Sequence, residues 1–400
     1  MKSITADIGL LKRMNWGMTL ILAALLTIGV MFIYSACYIS EETPVRTLYR
    51  QQFKWIALAG MAYFAFALFD YRRLRKVGPW LYVMSLVLLV LVLFVGRTIY
   101  GSQRWLPVVP ALGIGIQPSE LAKLGVIVML AAMMSRFGVN VKRLGILFLV
   151  LVAVGVPMVL VVVEPDVGTA LIFLPLAFVM MFVAGVPFRY LAGLVGIGLA
   201  FVALVVTLLL APQGLGLSVE RAEKITSAVG VKDYHRRRMK GFIDPQSDLL
   251  GAGWNKMQSQ ISVGSGGKWG KGYKKGDQNI LGFLPRSVAP TDFIYAVIAE
   301  EMGFFGSVVV LALFCLLLLC GAHVALKAQD KLGRLLCAGV MTVVFCHVIV
   351  NIAMTVGYLP IMGLPLPLLS YGGTFMVVTM SGMGIIQSVN IRSRPRVRSL

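Results

Sequence analysis

Charge is scarce in this chain. Of 400 residues only 14% are Asp, Glu, Lys or Arg, against about 25% in an average soluble domain, while 58% are hydrophobic and mean hydropathy is +0.85. That shortage excludes a soluble enzyme of this size and places the chain in a bilayer. Acids are scarcest, with seventeen Asp and Glu facing thirty-seven Lys and Arg for a net charge of +20. The basic residues gather between and beyond long apolar runs, so membrane topology accounts for them and no nucleic-acid partner is expected. The cysteines (Cys37, Cys315, Cys320, Cys337 and Cys346) lie in or beside apolar runs without paired ligand spacing, which reads as small buried hydrophobes. No period repeats, so solenoids and duplicated transporter halves find no support. The first apolar run lacks a small-residue cleavage site and is expected to remain as the first span.

What is present is a series of about ten runs of roughly 20 apolar residues, each long enough to cross a bilayer. They centre on 16–38, 53–70, 78–96, 119–136, 145–163, 168–186, 190–210, 302–325, 335–357 and 372–391. The fold class expected is an all-α integral membrane protein of about ten transmembrane helices. An even number puts both termini on one side. Alternate short segments hold eighteen Lys and Arg, whereas the opposite short segments hold only Arg46, Arg50, Arg97 and Arg104. The positive-inside rule then makes both termini cytoplasmic.

Residues 211–291 carry no span and form a large extracytoplasmic loop between the seventh and eighth helices, dividing the chain into 1–210, 211–291 and 292–400. The loop holds thirteen basic and six acidic residues, a balance of +7 that suits an anionic partner such as a phosphorylated lipid. A loop merely resting on anionic headgroups is the plainer alternative. Its Gly264–Gly272 run fails the Walker pattern, because Ser265 replaces the first glycine and Gly272 follows Lys271. It still offers backbone amides, Lys268 and Lys271 to an anion; a flexible linker is the other reading. Arg236-Arg237-Arg238 has no assigned role.

Ionisable groups at membrane depth are costly and therefore candidates for function. Pro118 begins a helix with Glu120 in its first turn, three residues before Lys123 and on the same face, where the two either form a local ion pair at the membrane boundary or line a pocket. Glu164-Pro165-Asp166 joins two spans in a tight reversal, and Asp166 is expected to pair with Lys123, since a buried lysine needs a counter-ion. Asp292 stands where the loop re-enters the membrane; partial desolvation would raise its pKa and suit it to proton transfer. An N-cap on a helix starting near Phe293 competes with that role. His323 and His347 read as core histidines. The stretch Leu359–Gly373, including Ser370, is too irregular for a helix and should be buried or line a cavity.

These segments resemble the SEDS family (shape, elongation, division and sporulation). The resemblance rests on Gly101-Ser102-Gln103-Arg104-Trp105, Gln117–Lys123, Glu164–Thr169, Gln258-Ser259 with Gly264–Gly272, Thr291–Glu301 and Gly363–Gly373. Gly251–Ser259 and Gly276-Asp277-Gln278 look more like the family's RodA branch than its FtsW branch. One departure is that the Glu and His common in the family before Thr-Asp-Phe are absent from Pro285–Asp292.

The resemblance implies a peptidoglycan glycosyltransferase of the bacterial cytoplasmic membrane, polymerising lipid II into β-1,4-linked strands during elongation. It implies Asp292 as the essential aspartate and Trp105, Arg104, Glu120, Lys123, Asp166 and Ser370 as residues around the substrate. The leaving diphosphate would be offset by Arg104, Lys268 and Lys271, or by a divalent cation such as Mg or Mn, although no residue set for a metal is evident. A class B penicillin-binding protein would be the partner. A lipid II flippase and a non-catalytic scaffold for a transpeptidase are the alternatives; a flippase should carry its key acids at mid-membrane, a scaffold should tolerate loss of Asp292.

Overall fold

A computed structural model describes residues 9–39, 43–99, 102–109, 114–137, 144–210, 218–228, 238, 239, 241, 242, 244 and 251–393. Gly101, Arg236, Arg237, both chain ends and much of 211–250 lie outside the described residues.

Ten long helices appear among the described residues: α1 Trp16–Cys37, α2 Leu48–Leu68, α3 Leu74–Val95, α4 Pro118–Phe137, α5 Leu144–Val163, α6 Val167–Ala184, α7 Phe188–Leu210, α8 Ile294–Lys327, α9 Lys331–Val356 and α10 Gly373–Ser393. Eight are long and apolar enough to cross a membrane by length and composition. The other two, α2 and α4, are diluted by Arg50 and Lys54 and by Glu120, Lys123 and Arg136. Short polar signals set the helix ends. Asn15 accepts from Met18 N (3.1 Å) to start α1, Asp166 accepts from Thr169 N (3.2 Å) to start α6, and Asp330 accepts from Gly333 N (2.9 Å) to start α9.

Burial is inverted relative to a soluble protein. The inner helices α4, α9 and α10 are largely buried, whereas α3, α5 and α7 leave Trp80, Phe94, Phe148 and Leu199 exposed. Apolar surface of this extent is stable only against lipid. Intrahelical hydrogen bonds satisfy the backbone there, and α10 packs on α2 while α3 packs on α4.

Two departures from an all-helical reading position the site. A small antiparallel sheet, β1 Arg97–Ile99, β2 Ser102–Val109 and β3 Ile114–Ile116, links α3 to α4. It is tied to the bundle by Thr374, whose hydroxyl donates to Gly115 O (3.2 Å) and accepts from Gln117 N (3.2 Å). The eighth helix also begins eight residues before the expected apolar run and is kinked at Gly303, whose φ of 66° a side chain would disfavour.

Candidate functional site

The site forms where the sheet, the α5–α6 turn, the start of α8 and the irregular segment after α9 converge. Alternation along β2 turns Arg104 and Trp105 to opposite faces. Trp105 packs over Gly115, its Cε3 3.4 Å from where a Cβ would stand. Arg104 reaches the α5–α6 turn, donating to Glu164 O (3.4 Å) and Pro165 O, with Nη1 3.6 Å from Asp166 Oδ1. Asp166 also accepts from the Thr169 hydroxyl (3.0 Å) and from Gln117 Nε2 (3.4 Å).

The expected Asp166–Lys123 pair is therefore not formed. Lys123 lies buried within the bundle, 2.9 Å from Glu120 Oε1 and 2.7 Å from His347 Nε2. His347 Nδ1 is 3.1 Å from Pro365 O, which can only accept; Nδ1 carries the hydrogen and Nε2 receives the ammonium. His347 is buried like a core histidine, but it joins an ionic group to the irregular segment. The local Glu120–Lys123 ion pair, the other reading of that spacing, is the one formed. Glu120 is one helical turn from Lys123, and the cation for Asp166 arrives from β2, which no local pattern indicated.

Asp292 precedes the helix without capping it, because the N-cap of α8 is Phe293 and no side-chain cap bond is made. Its carboxyl is pushed up from the ordinary value by burial, opposed by Arg238, by a Thr291 hydrogen bond and by Arg104, with Asp166 adding to the rise. The point where a Cβ on Gly363 would lie is 3.5 Å from Asp292 Oδ2 and 3.8 Å from each terminal nitrogen of Arg238. Carboxylate and guanidinium thus face each other across a glycine with φ of 70°. Arg238 donates to Ile361 O (2.7 Å), and burial depresses it to about 10. A cavity of about 160 Å³ opens beside it, lined by Arg104, Asp166, Gly168, Arg238, Pro360 and Met362.

Sequence reasoning missed Arg238, which sits in the basic run that had no assigned role, and Asn351. Asn351 follows His347 by four residues, so both lie on one face of α9. That polar face on an apolar helix was the available signal. Ser370 acts on the main chain: its hydroxyl donates to Thr291 O and accepts from Leu366 N (2.8 Å), and Tyr371 N donates to Pro290 O (2.8 Å). Together these bonds hold the residues before Asp292 against the irregular segment.

The glycine run and its lysines are placed elsewhere. Lys271 and Gly272 donate their amides to Glu300 O and Glu301 O beside the α8 kink (3.0 and 2.9 Å), and Gly270 donates to Gly266 O within the run (2.8 Å). Phe304 N and Phe305 N also donate to Gly267 O (2.9 Å) and Lys268 O (3.2 Å), so the run is fixed against α8 and is not a flexible linker. Lys271 is held by Glu300 (2.7 Å) and Asp277 (2.9 Å), which neutralise its charge. Glu301 accepts from Ser35 (2.6 Å) and Lys274 N (3.0 Å). Lys268 is exposed at the turn. The structure thus corrects the expectation for Lys271, and Arg238 with Arg104 supplies the basic pair beside Asp292. Among the described residues no three His, Cys, Asp or Glu side chains are grouped to hold a metal. Asp166 is already engaged by Arg104, Thr169 and Gln117.

A helical bundle with lipid-facing apolar surface and a polar, arginine-lined cleft at one end defines a multi-pass membrane protein. A family model for FtsW, RodA and SpoVE, described as "Cell cycle protein", matches residues 16–395; the chain belongs to this family, the SEDS family. It is 38% identical to the peptidoglycan glycosyltransferase MrdB of Escherichia coli over 326 residues, covering 81% of this chain and 80% of the relative. It is 31% identical to the peptidoglycan glycosyltransferase RodA of Treponema pallidum, covering 93% and 96%. A chain from a peptidoglycan synthase complex that coordinates polymerization and crosslinking superposes with a TM-score of 0.74 at 29% identity, covering 94% of this chain and 97% of that one. The crystal structure of RodA from Thermus thermophilus gives 0.66 at 29% identity, covering 94% and 96%.

Proposed function

We propose that the protein is a peptidoglycan glycosyltransferase that polymerises lipid II during cell elongation, with Asp292 as general base. The observation that carries this reading is the facing of Asp292 and Arg238 across Gly363, with Arg104 alongside. The 4-hydroxyl of the acceptor sugar gives its proton to an Asp292 carboxylate oxygen as its own oxygen bonds to the donor's anomeric carbon. The bond from that carbon to the diphosphate breaks, and its electron pair leaves with the lipid diphosphate. Attack opposite the leaving group inverts an α-linked donor to a β-1,4 product. A carboxyl raised above its ordinary value is a stronger base once ionised, and such proton transfer contributes on the order of 100- to 10,000-fold.

Arg104 and Arg238 are placed to offset the charge developing on the diphosphate, a role for preorganised donors in a water-poor site. Guanidinium is suited to it by its planar fork. With a class B penicillin-binding protein as crosslinking partner and both termini cytoplasmic, the cleft opens on the outer face of the bacterial cytoplasmic membrane. Purified Asp292→Ala protein should fold and bind lipid II yet form no polymer when labelled lipid II is incubated and the product sized. Substantial polymer from that variant would sink the assignment.

A further inference from the structure

At the end of the bundle opposite Asp292, a pocket of about 680 Å³ lies among the chain before α1, the α2–α3 turn and the last turn of α10. Its charged wall holds Arg13, Arg72, Arg73 and Arg392 against a single acid, Asp70. Arg392 is consumed by the fold: it donates to Ala67 O (3.3 Å), Leu68 O (2.6 Å) and Ser388 Oγ (2.8 Å), and its Nε lies 3.6 Å from Asp70 Oδ1. Asp70 is occupied as well, accepting from Arg72 N (3.0 Å). Arg72 and Arg73 are exposed on the 3-10 turn Tyr71–Arg73; Arg72 lies 5.8 Å from the centroid of the Tyr71 ring, and among the described residues neither arginine forms an ion pair. The opposite wall is apolar, made by Leu10, Leu68, Phe69 and Ile391.

We infer that this pocket binds a phosphate-bearing anion, in the form of an anionic phospholipid headgroup with the start of its acyl region. Guanidinium groups match phosphate oxygens in a planar fork. An inorganic ion would use the basic wall alone, whereas a phospholipid also covers the four apolar side chains. The volume is that of a small-molecule site rather than of one ion. Position agrees, since the ends of α2 and α10 lie at headgroup depth for helices that span a bilayer, where basic pockets between helices recruit anionic lipids. The inference is independent of the polymerase reading, because none of these residues belongs to the Asp292 cleft.

The full-length protein, purified in a neutral detergent, would be titrated with phosphatidylglycerol, phosphatidylcholine or inorganic phosphate while thermal unfolding is followed. Phosphatidylglycerol should raise Tm and phosphatidylcholine should not. Arg72→Gln/Arg73→Gln should weaken the phosphatidylglycerol response on the order of tenfold, while Arg72→Lys/Arg73→Lys, which keeps the charge but loses the planar fork, recovers only part of it. A control of equal charge change, Arg189→Gln/Lys327→Gln, should respond like the parent protein. Polymerisation in phosphatidylcholine nanodiscs should be unchanged in the Gln double variant, confirming that it folds. An equal shift with inorganic phosphate would assign the pocket to a free anion and overturn the lipid reading. An undiminished response in Arg72→Gln/Arg73→Gln, or an equal loss in the control, would overturn the site altogether.

Discussion

Asn351 donates from Nδ2 to the main-chain carbonyl of Asp292 at 2.8 Å, and from the same nitrogen to Leu364 O at 2.7 Å. One side chain on α9 thereby joins Asp292 to the irregular segment that carries Gly363. Replacing it by Ala leaves two carbonyls without their donor, a cost of about 1–3 kcal/mol each where water cannot enter. Asn351→Ala should lower Tm and reduce polymerisation, while Asn351→Gln, with a longer arm, should restore neither fully. Unchanged activity in Asn351→Ala would mean that Asp292 is held by other bonds.

Arg238 opposes the rise of the Asp292 carboxyl, so its removal has a predictable sign. In Arg238→Leu the carboxyl should titrate higher, and the acid limb of the pH–rate profile should move to higher pH. The rate at the plateau should also fall, on the order of 100-fold for loss of one charge-stabilising donor. Initial rates of lipid II consumption from pH 5 to 9 would test both. A lower rate with an unmoved acid limb would separate Arg238 from Asp292.

Gly363→Ala is expected to act at the same place by geometry. The added methyl would stand between Asp292 and Arg238, at a φ that costs roughly 1–3 kcal/mol for a residue with a side chain. Polymerisation should drop by more than the loss of Tm explains, because the methyl occupies the space between base and cation. Lipid II binding and turnover measured on the same preparation distinguish this from simple unfolding.

Glu164 predicts a pH dependence of stability. Burial and the neighbouring Asp166 charge lift its carboxyl to about 8, against the lowering effect of Arg104, and neither carboxylate oxygen has a hydrogen-bond partner among the described residues. In the unfolded chain the group titrates near about 4.3. Between those values the folded protein binds more protons than the unfolded one, so stability falls as pH rises and levels off above about 8. Glu164→Gln should remove this slope and be the more stable form at pH 8.5. Parallel Tm–pH curves for the two proteins would rule out the buried carboxyl as its source.

How far the sequence reveals the structure depends on whether the signal is local. The ten helices follow from apolar runs, and their limits differ by a few residues at most positions. The exception is α8, where Glu300 and Glu301 interrupt the run but find partners in distant segments, Glu300 in the Lys271 ammonium and Glu301 in the Ser35 hydroxyl and the Lys274 amide. The β1–β3 sheet was missed because β1 and β3 have only three residues each and β2 carries no clear polar–apolar alternation. Asp292, Asp166 and Arg104 stood out as charges at membrane edges. Which charge meets which was not legible, since Arg104 and Arg238 reach the site from connections whose course tertiary packing decides.

The buried Lys123 offers a direct test of that distinction. Its ammonium has Glu120 at 2.9 Å and His347 at 2.7 Å, while Asp166 is held by Arg104. Lys123→Met should leave the Glu120 carboxylate buried without its cation and cost about 3–5 kcal/mol, whereas Lys123→Met/Glu120→Gln should recover much of that loss. A double-mutant cycle for positions 120 and 123 should therefore give a coupling of about 0.5–3 kcal/mol, and the cycle for 123 and 166 less than about 0.5 kcal/mol. Chemical or thermal unfolding of the six proteins in detergent supplies both cycles. Strong coupling between 123 and 166 with none between 120 and 123 would place the lysine's counter-ion in the α5–α6 turn, and the separation of the buried ionic group from the Asp292 cleft would fail with it.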